Sequence, residues 1–250
     1  MRPRKRFGQH FLHDPGILKR ILDAVAPSGG DAVVEIGPGE GALTRPLLER
    51  LPQLTAIEID RDLAATLSQE LSSRGLSVLS ADVLDFDFAA LPSNLRVVGN
   101  LPYNISTPLL FHLARFADRV RDMHFMLQRE VVERMVAKPS TPAYGRLSVM
   151  LQTRFEMRKL FNVAPGAFRP PPKVESAVVR LVPLREKMAC DAGAFERIVR
   201  QAFSARRKTL RNALPLESRD YEDLGIDPRL RPENLSPADY VRITRRVCAR

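Results

Sequence analysis

The chain contains no tryptophan, only two cysteines among its 250 residues, and only 6% aromatic residues. Cys190 and Cys248 alone can form neither a disulfide framework nor a metal site, so we expect reduced thiols and no bound metal. The four histidines lack the spacing of metal ligands or of a catalytic pair, and we interpret them as structural. No run of about twenty apolar residues is present, and the basic N-terminus lacks the apolar segment of a signal peptide. We therefore expect a cytoplasmic protein.

The net charge of +10 is concentrated at the two ends of the chain. Residues 1–20 carry a net +5 and residues 185–250 another +5, whereas residues 21–184 contain 18 basic and 18 acidic side chains. Two basic ends around a neutral middle are typical of a nucleic-acid-binding surface beside a catalytic body. A generally basic solvated surface is the alternative, although it would distribute the charge more evenly.

A short apolar strand leads directly into a turn with three glycines. Asp31–Ile36 is followed by Gly37–Gly41 and then by a helical pattern over Ala42–Leu51, which is the first half of a nucleotide-binding βαβ unit. Glycines allow the backbone to approach a ligand where a Cβ would collide. The spacing is Glu-x-Gly-x-Gly-x-Gly, whereas a dinucleotide-binding turn reads G-x-G-x-x-G. The turn therefore indicates a ligand without a pyrophosphate.

Four polar side chains lie at or just before the carboxyl ends of four predicted strands: Glu35, Glu58, Asp82 and Asn100. Ligands bind at that edge in an open α/β sheet. Glu58 follows the glycines by about twenty residues, where one carboxylate can accept both hydroxyls of a ribose. Asp82 is placed to accept from an adenine amino group. We therefore predict a nucleoside ligand at this edge.

The fourth of these strands ends in Gly99-Asn100-Leu101-Pro102-Tyr103. Pro102 fixes its own φ angle and moves Leu101 toward extended geometry, so the turn is stiff. A side-chain amide, a backbone carbonyl and an aromatic ring held in this way suit a flat heterocycle with an exocyclic amine. Ordinary turn residues after a strand are the alternative, and this stretch alone does not decide between them.

The pattern beyond residue 120 predicts a fifth strand over Met123–Gln128, a helix or long turn over Arg146–Phe155, and a strand over Val174–Leu181. The triple proline Pro170–Pro172 is either a polyproline II ligand for an adaptor domain or a rigid mount for Phe168. Its position between strands of one domain favours the mount.

Residues 185–250 have the pattern of short amphipathic helices with a basic turn at Arg206–Lys208. We therefore predict two domains. Residues 1–184 form an α/β catalytic domain with a basic arm at 1–13, and residues 185–250 form a small helical domain that contacts RNA or the ribosome.

Five motifs, distributed in order over nearly the whole chain, resemble the ribosomal RNA adenine dimethyltransferases, most closely those of the bacterial small subunit. These motifs are Arg6–Leu12, Glu35–Gly41, Asn100–Tyr103, Phe168–Ser176 and Phe203–Asn212. The resemblance implies a Rossmann-like, seven-strand class I methyltransferase fold with a small all-helical C-terminal domain. It implies S-adenosylmethionine as cofactor, S-adenosylhomocysteine as product, and N6,N6-dimethylation of two adjacent adenosines in the 3′-terminal hairpin loop of 16S rRNA. The substrate would be the pre-assembled 30S subunit, and the enzyme would be a monomer. It could also act as a checkpoint in late ribosome biogenesis.

The resemblance also implies roles for individual residues. His10 departs from the family pattern, since many relatives have Asn there, and its contact with the cofactor is therefore open. The catalytic residues would be Asn100, Leu101, Pro102, Tyr103 and Phe168, with Tyr103 and Phe168 on the two faces of the target base. The cofactor would contact Gln9, His10, Leu12, Glu35, Gly37, Gly39, Gly41, Glu58, Ile59, Asp82, Val83 and Asn100. RNA would contact Arg4, Lys5, Arg6, Arg146, Lys173, Arg200, Arg206, Arg207, Lys208 and Arg211.

Two other functions remain open at this point. A large-subunit rRNA adenine methyltransferase of the antibiotic-resistance type shares the Asn-Leu-Pro-Tyr motif. Alternatively, the protein acts mainly as a binding factor in ribosome assembly, with methylation secondary. A dinucleotide oxidoreductase is excluded by the glycine spacing and by the charged ends.

Overall fold

A computed structural model describes residues 10–186 and 190–249. Their contacts divide the chain into two compact units, the first comprising the described residues up to Val132 with Met157–Pro183, and the second Glu133–Glu156 with the described residues from Leu184 onward. The expected domain boundary after residue 184 therefore needs one correction, because Glu133–Glu156 belongs with the C-terminal part. The reason is packing: Tyr144 is fully buried in the core of the second unit, and its hydroxyl donates to the carbonyl of Leu235 at 2.9 Å.

The first unit contains a seven-stranded, mostly parallel sheet, as expected. Its strands are β2 (Val33–Ile36), β3 (Leu54–Glu58), β4 (Leu76–Ser80), β5 (Leu95–Asn100), β6 (Val120–Gln128), β7 (Phe155–Val163) and β9 (Ser176–Pro183), in the order β4-β3-β2-β5-β6-β9-β7. Strands β2 to β6 pair in parallel, and β9 pairs antiparallel with β6. A separate two-stranded sheet joins β1 (Phe11–Leu12) to β8 (Phe168–Arg169).

Helices α2 (Thr44–Leu48), α3 (Arg61–Leu71) and α4 (Ser106–Ala114) connect parallel strands. Helix α1 (Pro15–Val25) precedes β2, and α5 (Arg129–Met135) follows β6. Helix α1 has a capped start, since the Asp14 side chain accepts from the Ile17 N–H at 3.0 Å and Pro15 occupies the first helical position. The buried face of α1, with Ile21, Leu22 and Val25, packs in one apolar cluster with strand residues of the sheet. This packing fixes the segment before α1 relative to the strand ends.

A buried ion network ties the amino-terminal edge of the sheet together. Arg96 on β5 donates from Nε and Nη2 to both carboxylate oxygens of Asp122 on β6, each at 2.9 Å, and from Nη1 to Asp31 at 2.8 Å. It also donates to the carbonyls of Val25 and Ala26 at the end of α1. The side chains of Arg96, Asp122 and Asp31 are only 6%, 2% and 7% exposed. One guanidinium therefore joins two strands, one loop and a helix end.

The second unit has its own apolar core, to which α6 (Arg146–Gln152), α7 (Ala192–Ser204) and α10 (Pro237–Cys248) contribute. The short helices α8 (Leu210–Ala213) and α9 (Ser218–Leu224) complete the described helices of this unit. Among the described residues, no helix is long and apolar enough to cross a membrane.

Candidate active site

A cavity of about 410 Å³ opens at the carboxyl ends of the parallel strands in the first unit. It brings together most of the residues that the sequence predicted for the cofactor and the catalytic turn. These are His10, Leu12, Glu35, Gly37, Gly39, Glu58, Ile59, Asp82, Val83, Asn100, Leu101, Pro102 and Tyr103. Gln9 lies outside the described residues, and Gly41 and Phe168 do not line the cavity.

The glycine turn follows β2 and forms one wall of the cavity. Gly37 and Gly39 have φ angles of +65° and +58°, which residues with a Cβ rarely adopt. A Cβ on Gly39 would approach the Phe11 ring to 2.9 Å, so only glycine allows the turn and β1 to lie this close together. Gly41 has a different role, because its missing side chain makes room for Leu67 of α3 rather than for a ligand.

Glu58 lies at the end of β3 with its carboxylate held by the backbone. Its Oε2 accepts from the Gly39 N–H at 3.2 Å, and its Oε1 accepts from the Asp60 N–H at 2.9 Å. Burial raises the pKa of Glu58, and these two N–H groups act against that rise. Beside it, Ile59 is an exposed apolar side chain, 44% accessible, and the exposed Asp82 accepts from the Leu84 N–H at 2.9 Å. An oriented carboxylate, an apolar surface and a second carboxylate suit a ribose with an attached adenine.

Glu35 is the most deeply buried acid of the cavity wall. It is 2% exposed, and its Oε2 has no hydrogen-bond partner among the described residues. Burial raises the pKa of Glu35 to about 8, and the negative charge of Glu58 adds to the rise.

Four acids line the cavity: Glu35, Glu40, Glu58 and Asp82. Within the part of the chain that is described, neither lysine nor arginine lines the cavity. This electrostatic environment favours a ligand with positive charge and disfavours a pyrophosphate.

The turn after β5 is held rigidly at the cavity. The Pro102 carbonyl accepts from the Ser106 hydroxyl at 2.9 Å, and the Leu101 N–H donates to the Met126 carbonyl at 3.1 Å. Asn100 Nδ2 donates to the His10 carbonyl at 2.9 Å. A carbonyl can only accept, so this bond determines the orientation of the amide and leaves Oδ1 available as an acceptor.

Tyr103 follows with a ring that is anchored at its far end. Its hydroxyl shares a hydrogen bond of 2.6 Å with the Ser176 hydroxyl, and its ring is stacked on His10 with centroids 5.6 Å apart. The His10 ring is itself fixed, since Nδ1 donates to the Pro170 carbonyl at 2.8 Å. His10 therefore contacts the turn after β5 through its backbone and through its ring, and the stacking was not predicted from the sequence.

The structure places Phe168 differently from the expectation. Its side chain is 2% exposed and belongs to the core cluster, because β8 pairs with β1 and sets Phe168 opposite Leu12. The ring is therefore packed in the core beside β1 and does not line the cavity. The His13 N–H donates to the Ala167 carbonyl at 3.0 Å and extends the same pairing.

Sequence reasoning missed the inner wall of the cavity, to which α1, β6 and β9 contribute Leu18, Ile21, His124, Met126 and Val178. His124 is 2% exposed, and neither ring nitrogen has a hydrogen-bond partner among the described residues. Burial lowers the pKa of His124 to about 4. No local pattern marks these residues, because a buried strand that contributes to a cavity has the same sequence as one that contributes only to the core.

The residues predicted for RNA contact occupy several places. Arg4, Lys5 and Arg6 lie outside the described residues. Lys173 is exposed in the first unit, and Arg200, Arg207, Lys208 and Arg211 are exposed in the second. Two others are engaged within the second unit: Arg146 pairs with Glu196 at 2.9 Å, and Arg206 donates to the Pro142 carbonyl at 3.0 Å. Contact of any of them with RNA stays a prediction.

Known proteins resemble this chain over its whole length. A small-subunit ribosomal RNA methyltransferase A of Aromatoleum aromaticum is 60% identical over 253 aligned positions, which cover 100% of this chain and 96% of the relative. The crystal structure of a dimethyladenosine transferase from Plasmodium falciparum is similar with a TM-score of 0.84 and 27% identity, covering 96% of this chain and 98% of the other. The crystal structure of the 23S rRNA methyltransferase ErmE is similar with a TM-score of 0.73 and 28% identity, covering 95% and 99%.

The family description "Ribosomal RNA adenine dimethylase" matches residues 1–248. This match extends across both units, and the glycine turn and Asn100–Tyr103 lie within it. The chain belongs to the ribosomal RNA adenine dimethylase family.

Proposed function

We propose that the protein uses S-adenosylmethionine to dimethylate N6 of two adjacent adenosines in the 3′-terminal hairpin loop of 16S rRNA. The substrate is the pre-assembled 30S subunit in the cytoplasm. The observation that carries this proposal is the turn at Asn100–Tyr103, which presents an oriented amide oxygen and an anchored ring at an acid-lined cavity. The 60% identity to a small-subunit methyltransferase supports the choice of subunit.

The residues of the cavity fit the proposed cofactor. The acids suit a molecule with a sulfonium and an ammonium group, and Gly37 and Gly39 leave a backbone surface without side chains. Glu58 would hold the ribose hydroxyls, Ile59 would contact the adenine ring, and Asp82 would accept from its amino group. When bound, S-adenosylmethionine supplies a methyl group that the sulfonium has already activated.

The contribution of the protein to the transfer is then mainly orientation. An adenine N6 amine is a poor nucleophile because its lone pair is delocalised into the ring. Asn100 Oδ1 and the Leu101 carbonyl accept its two N–H groups and direct the lone pair at the methyl group. Alignment and electrostatic complementarity of this kind lower the barrier without a strong general base, since the methylated ammonium readily loses its proton.

The target adenine must leave its stack to reach the turn. Tyr103 offers a ring face for it, and stacking of a base on an aromatic side chain contributes about 1–3 kcal/mol. His10 now stacks on the Tyr103 ring, so the arriving base either displaces His10 or uses the opposite face. After the first transfer one N–H remains, and the site must accommodate a methyl group beside one of the two acceptors.

The experiment is Asn100→Ala, assayed by transfer of tritiated methyl groups to isolated 30S subunits. We expect a loss of at least about 100-fold in rate, typical of removing one group that stabilises the transition state. Affinity for S-adenosylhomocysteine should change much less. Asn162→Ala is the matched control, because Asn162 is exposed on β7 and does not line the cavity. Activity of Asn100→Ala close to that of the control would contradict the proposed role of the turn.

A second candidate substrate is the large subunit, which the structural similarity to ErmE over 95% of the chain favours. Sequence identity argues against the large subunit, because the chain is 28% identical to ErmE and 60% identical to the small-subunit relative. Methylation of isolated 30S and 50S subunits, followed by mass mapping of the modified base, distinguishes the two.

The exposed basic residues of the second unit are the proposed ribosome contacts, together with Lys173 of the first. A role as an assembly factor, with methylation secondary, would use the same contacts. It predicts that the inactive Asn100→Ala protein still binds immature 30S subunits.

A further inference from the structure

Glu35 combines three properties that the proposed mechanism does not use. It lies at the carboxyl end of β2, directly before the glycine turn, and lines the cavity. It is almost fully buried, and its Oε2 has no partner among the described residues. Leaving a buried carboxyl oxygen without a partner is costly, and leaving a buried carboxylate without a cation is far more so. Such an acid is stable only when it is protonated or when a cationic ligand lies beside it.

Within the described ranges 10–186 and 190–249, the elements around Glu35 provide no lysine or arginine at the cavity. From β3, Glu58 faces it with a like charge. From α2, the hydroxyl of Thr44 lies close enough to lower its pKa somewhat, and Arg45, the cation of that helix, pairs instead with Glu70 at 2.6 Å. The other polar side chains at the cavity are Asn100 of β5, His124 of β6, and His10, His13, Glu40, Asp82, Tyr103 and Asn104 from the connecting segments.

Two groups on neighbouring strands, His124 and Arg96, are able to carry a positive charge that would neutralise an acid. His124 lies on β6 opposite Val98, which in turn lies opposite Glu35 on the same level of the sheet. Its lowered pKa, to about 4, keeps the imidazole neutral. Arg96 is engaged with Asp31 and Asp122 at the other edge of the sheet. Among the residues that the structure describes, the cavity around the carboxyl of Glu35 thus contains no lysine or arginine.

We propose that Glu35 makes the cavity select the cationic methyl donor over its neutral product, because Glu35 keeps its proton in the empty cavity and releases it to solvent when a sulfonium enters. The cation then replaces the proton as the partner of the buried carboxylate. After transfer the thioether of S-adenosylhomocysteine is neutral, Glu35 takes up a proton again, and the product binds less tightly than the donor. The proposal rests on S-adenosylmethionine being the cofactor, as proposed above.

The size of the effect follows from the protonation equilibrium. With a pKa of about 8, about three quarters of the Glu35 side chains hold a proton at pH 7.5. If the sulfonium binds only beside the carboxylate, the dissociation constant of S-adenosylmethionine falls about twentyfold between pH 6.5 and 8.5. The dissociation constant of S-adenosylhomocysteine does not acquire this dependence.

The test is calorimetric titration of the full-length protein with S-adenosylmethionine and with S-adenosylhomocysteine at pH 7.5. Each titration is performed in two buffers of different ionisation enthalpy, which yields the number of protons released. Glu35→Gln is the matched variant, because an amide has the shape of the protonated acid and cannot titrate. Both ligands carry the same amino acid moiety, so its own protonation is removed by comparing wild type with variant.

On binding S-adenosylmethionine, we expect the wild type to release about three quarters of a proton more than Glu35→Gln. On binding S-adenosylhomocysteine, we expect the two proteins to release the same number of protons. Equal proton counts for the two proteins with S-adenosylmethionine would overturn the proposal. The proposal would also be overturned if the wild type released the same extra number of protons over Glu35→Gln with S-adenosylmethionine and with S-adenosylhomocysteine. Glu35 would then not respond to the sulfonium.

A second measurement needs only the wild type. The ratio of the dissociation constants of product and donor should rise about twentyfold from pH 6.5 to 8.5, and a constant ratio would overturn the proposal. Failure of the proposed function is distinguishable, because 30S subunits would then not be methylated at any pH. A protein that binds the donor and methylates 30S subunits, yet shows a constant ratio, contradicts only the role of Glu35.

Discussion

Replacing Arg96 by methionine should greatly destabilise the first unit without altering the cavity. The guanidinium is 6% exposed and makes five hydrogen bonds, three of them to carboxylates. Methionine occupies similar space but leaves Asp122, which is 2% exposed, with Arg180 at 3.4 Å as its nearest arginine among the described residues. Removing one partner of a buried ion pair typically costs about 3–5 kcal/mol, because the other charge stays buried without compensation. We expect a loss in that range for the free energy of unfolding.

The assay is urea unfolding at pH 7, followed by far-UV circular dichroism. The matched control is Arg180→Met, which removes a cation from the same Asp122. Its side chain is 48% exposed, so we expect a loss of only about 0–1 kcal/mol. Affinity for S-adenosylhomocysteine should be unchanged in the folded Arg96→Met protein, because the network and the cavity lie at opposite edges of the sheet.

The pH dependence gives a further check on the same network. Burial alone would raise the pKa of Asp122, but its hydrogen bonds with Arg96 and the charge of Arg96 outweigh burial and hold the pKa below its ordinary value. Burial would also raise the pKa of Asp31, but the Ser28 N–H and, after it, Arg96 hold that pKa below its ordinary value. An acid whose pKa is lower in the folded than in the unfolded chain stabilises the fold at pH values above its unfolded pKa. This stabilisation is lost as the pH falls through its folded pKa.

The difference in stability between wild type and Arg96→Met should therefore be complete at pH 7 and should shrink below about pH 4. A loss below about 1 kcal/mol at pH 7, comparable with that of an exposed pair, would refute the reasoning. A difference that persists undiminished in acid would show that the loss comes from packing and not from charge.

Two other substitutions test the wall and the cover of the cavity. Gly39→Ala places a Cβ 2.9 Å from the Phe11 ring at a φ of +58°, so the dissociation constant of S-adenosylhomocysteine measured by calorimetry should rise about tenfold or more. Gly30→Ala, which meets nothing within 4 Å, should leave it unchanged, and equal effects of the two would contradict the steric argument. Phe168→Ala should lower the free energy of urea unfolding by about 3–5 kcal/mol, as for a buried ring. Wild-type stability combined with weakened 30S binding would instead indicate that Phe168 contacts the base.

The edge of the sheet that forms the site was predictable because local patterns determine it. Parallel strands end at the same edge, so finding Glu35, Glu58, Asp82 and Asn100 near four strand ends was enough to predict that they share one cavity. The start of α1 was equally local, since Asp14 and Pro15 carry the signal themselves. For these features the information lies within a few residues of the feature.

The features that the sequence did not predict depend on contacts between distant residues. Strand β7 (Phe155–Val163) was not predicted. It begins at Phe155, where the predicted helix or long turn over Arg146–Phe155 was expected to end. Only Phe155 and Val163 of this strand are buried, so the alternation that normally indicates a strand is weak. Phe168 was expected on one face of the target base, and its burial in the core depends on the pairing of β8 with the distant β1.

The pairing of β1 with β8 has a consequence for biosynthesis. His10 and Pro170, which meet there, are 160 positions apart in the chain. The ribosome produces about 5–20 residues per second, so His10 waits roughly 10–30 s for its partner to be synthesised. A nascent chain that has already formed the glycine turn and Glu58 still lacks β8. The methyl donor therefore meets a complete binding site only after translation of the first unit is nearly finished.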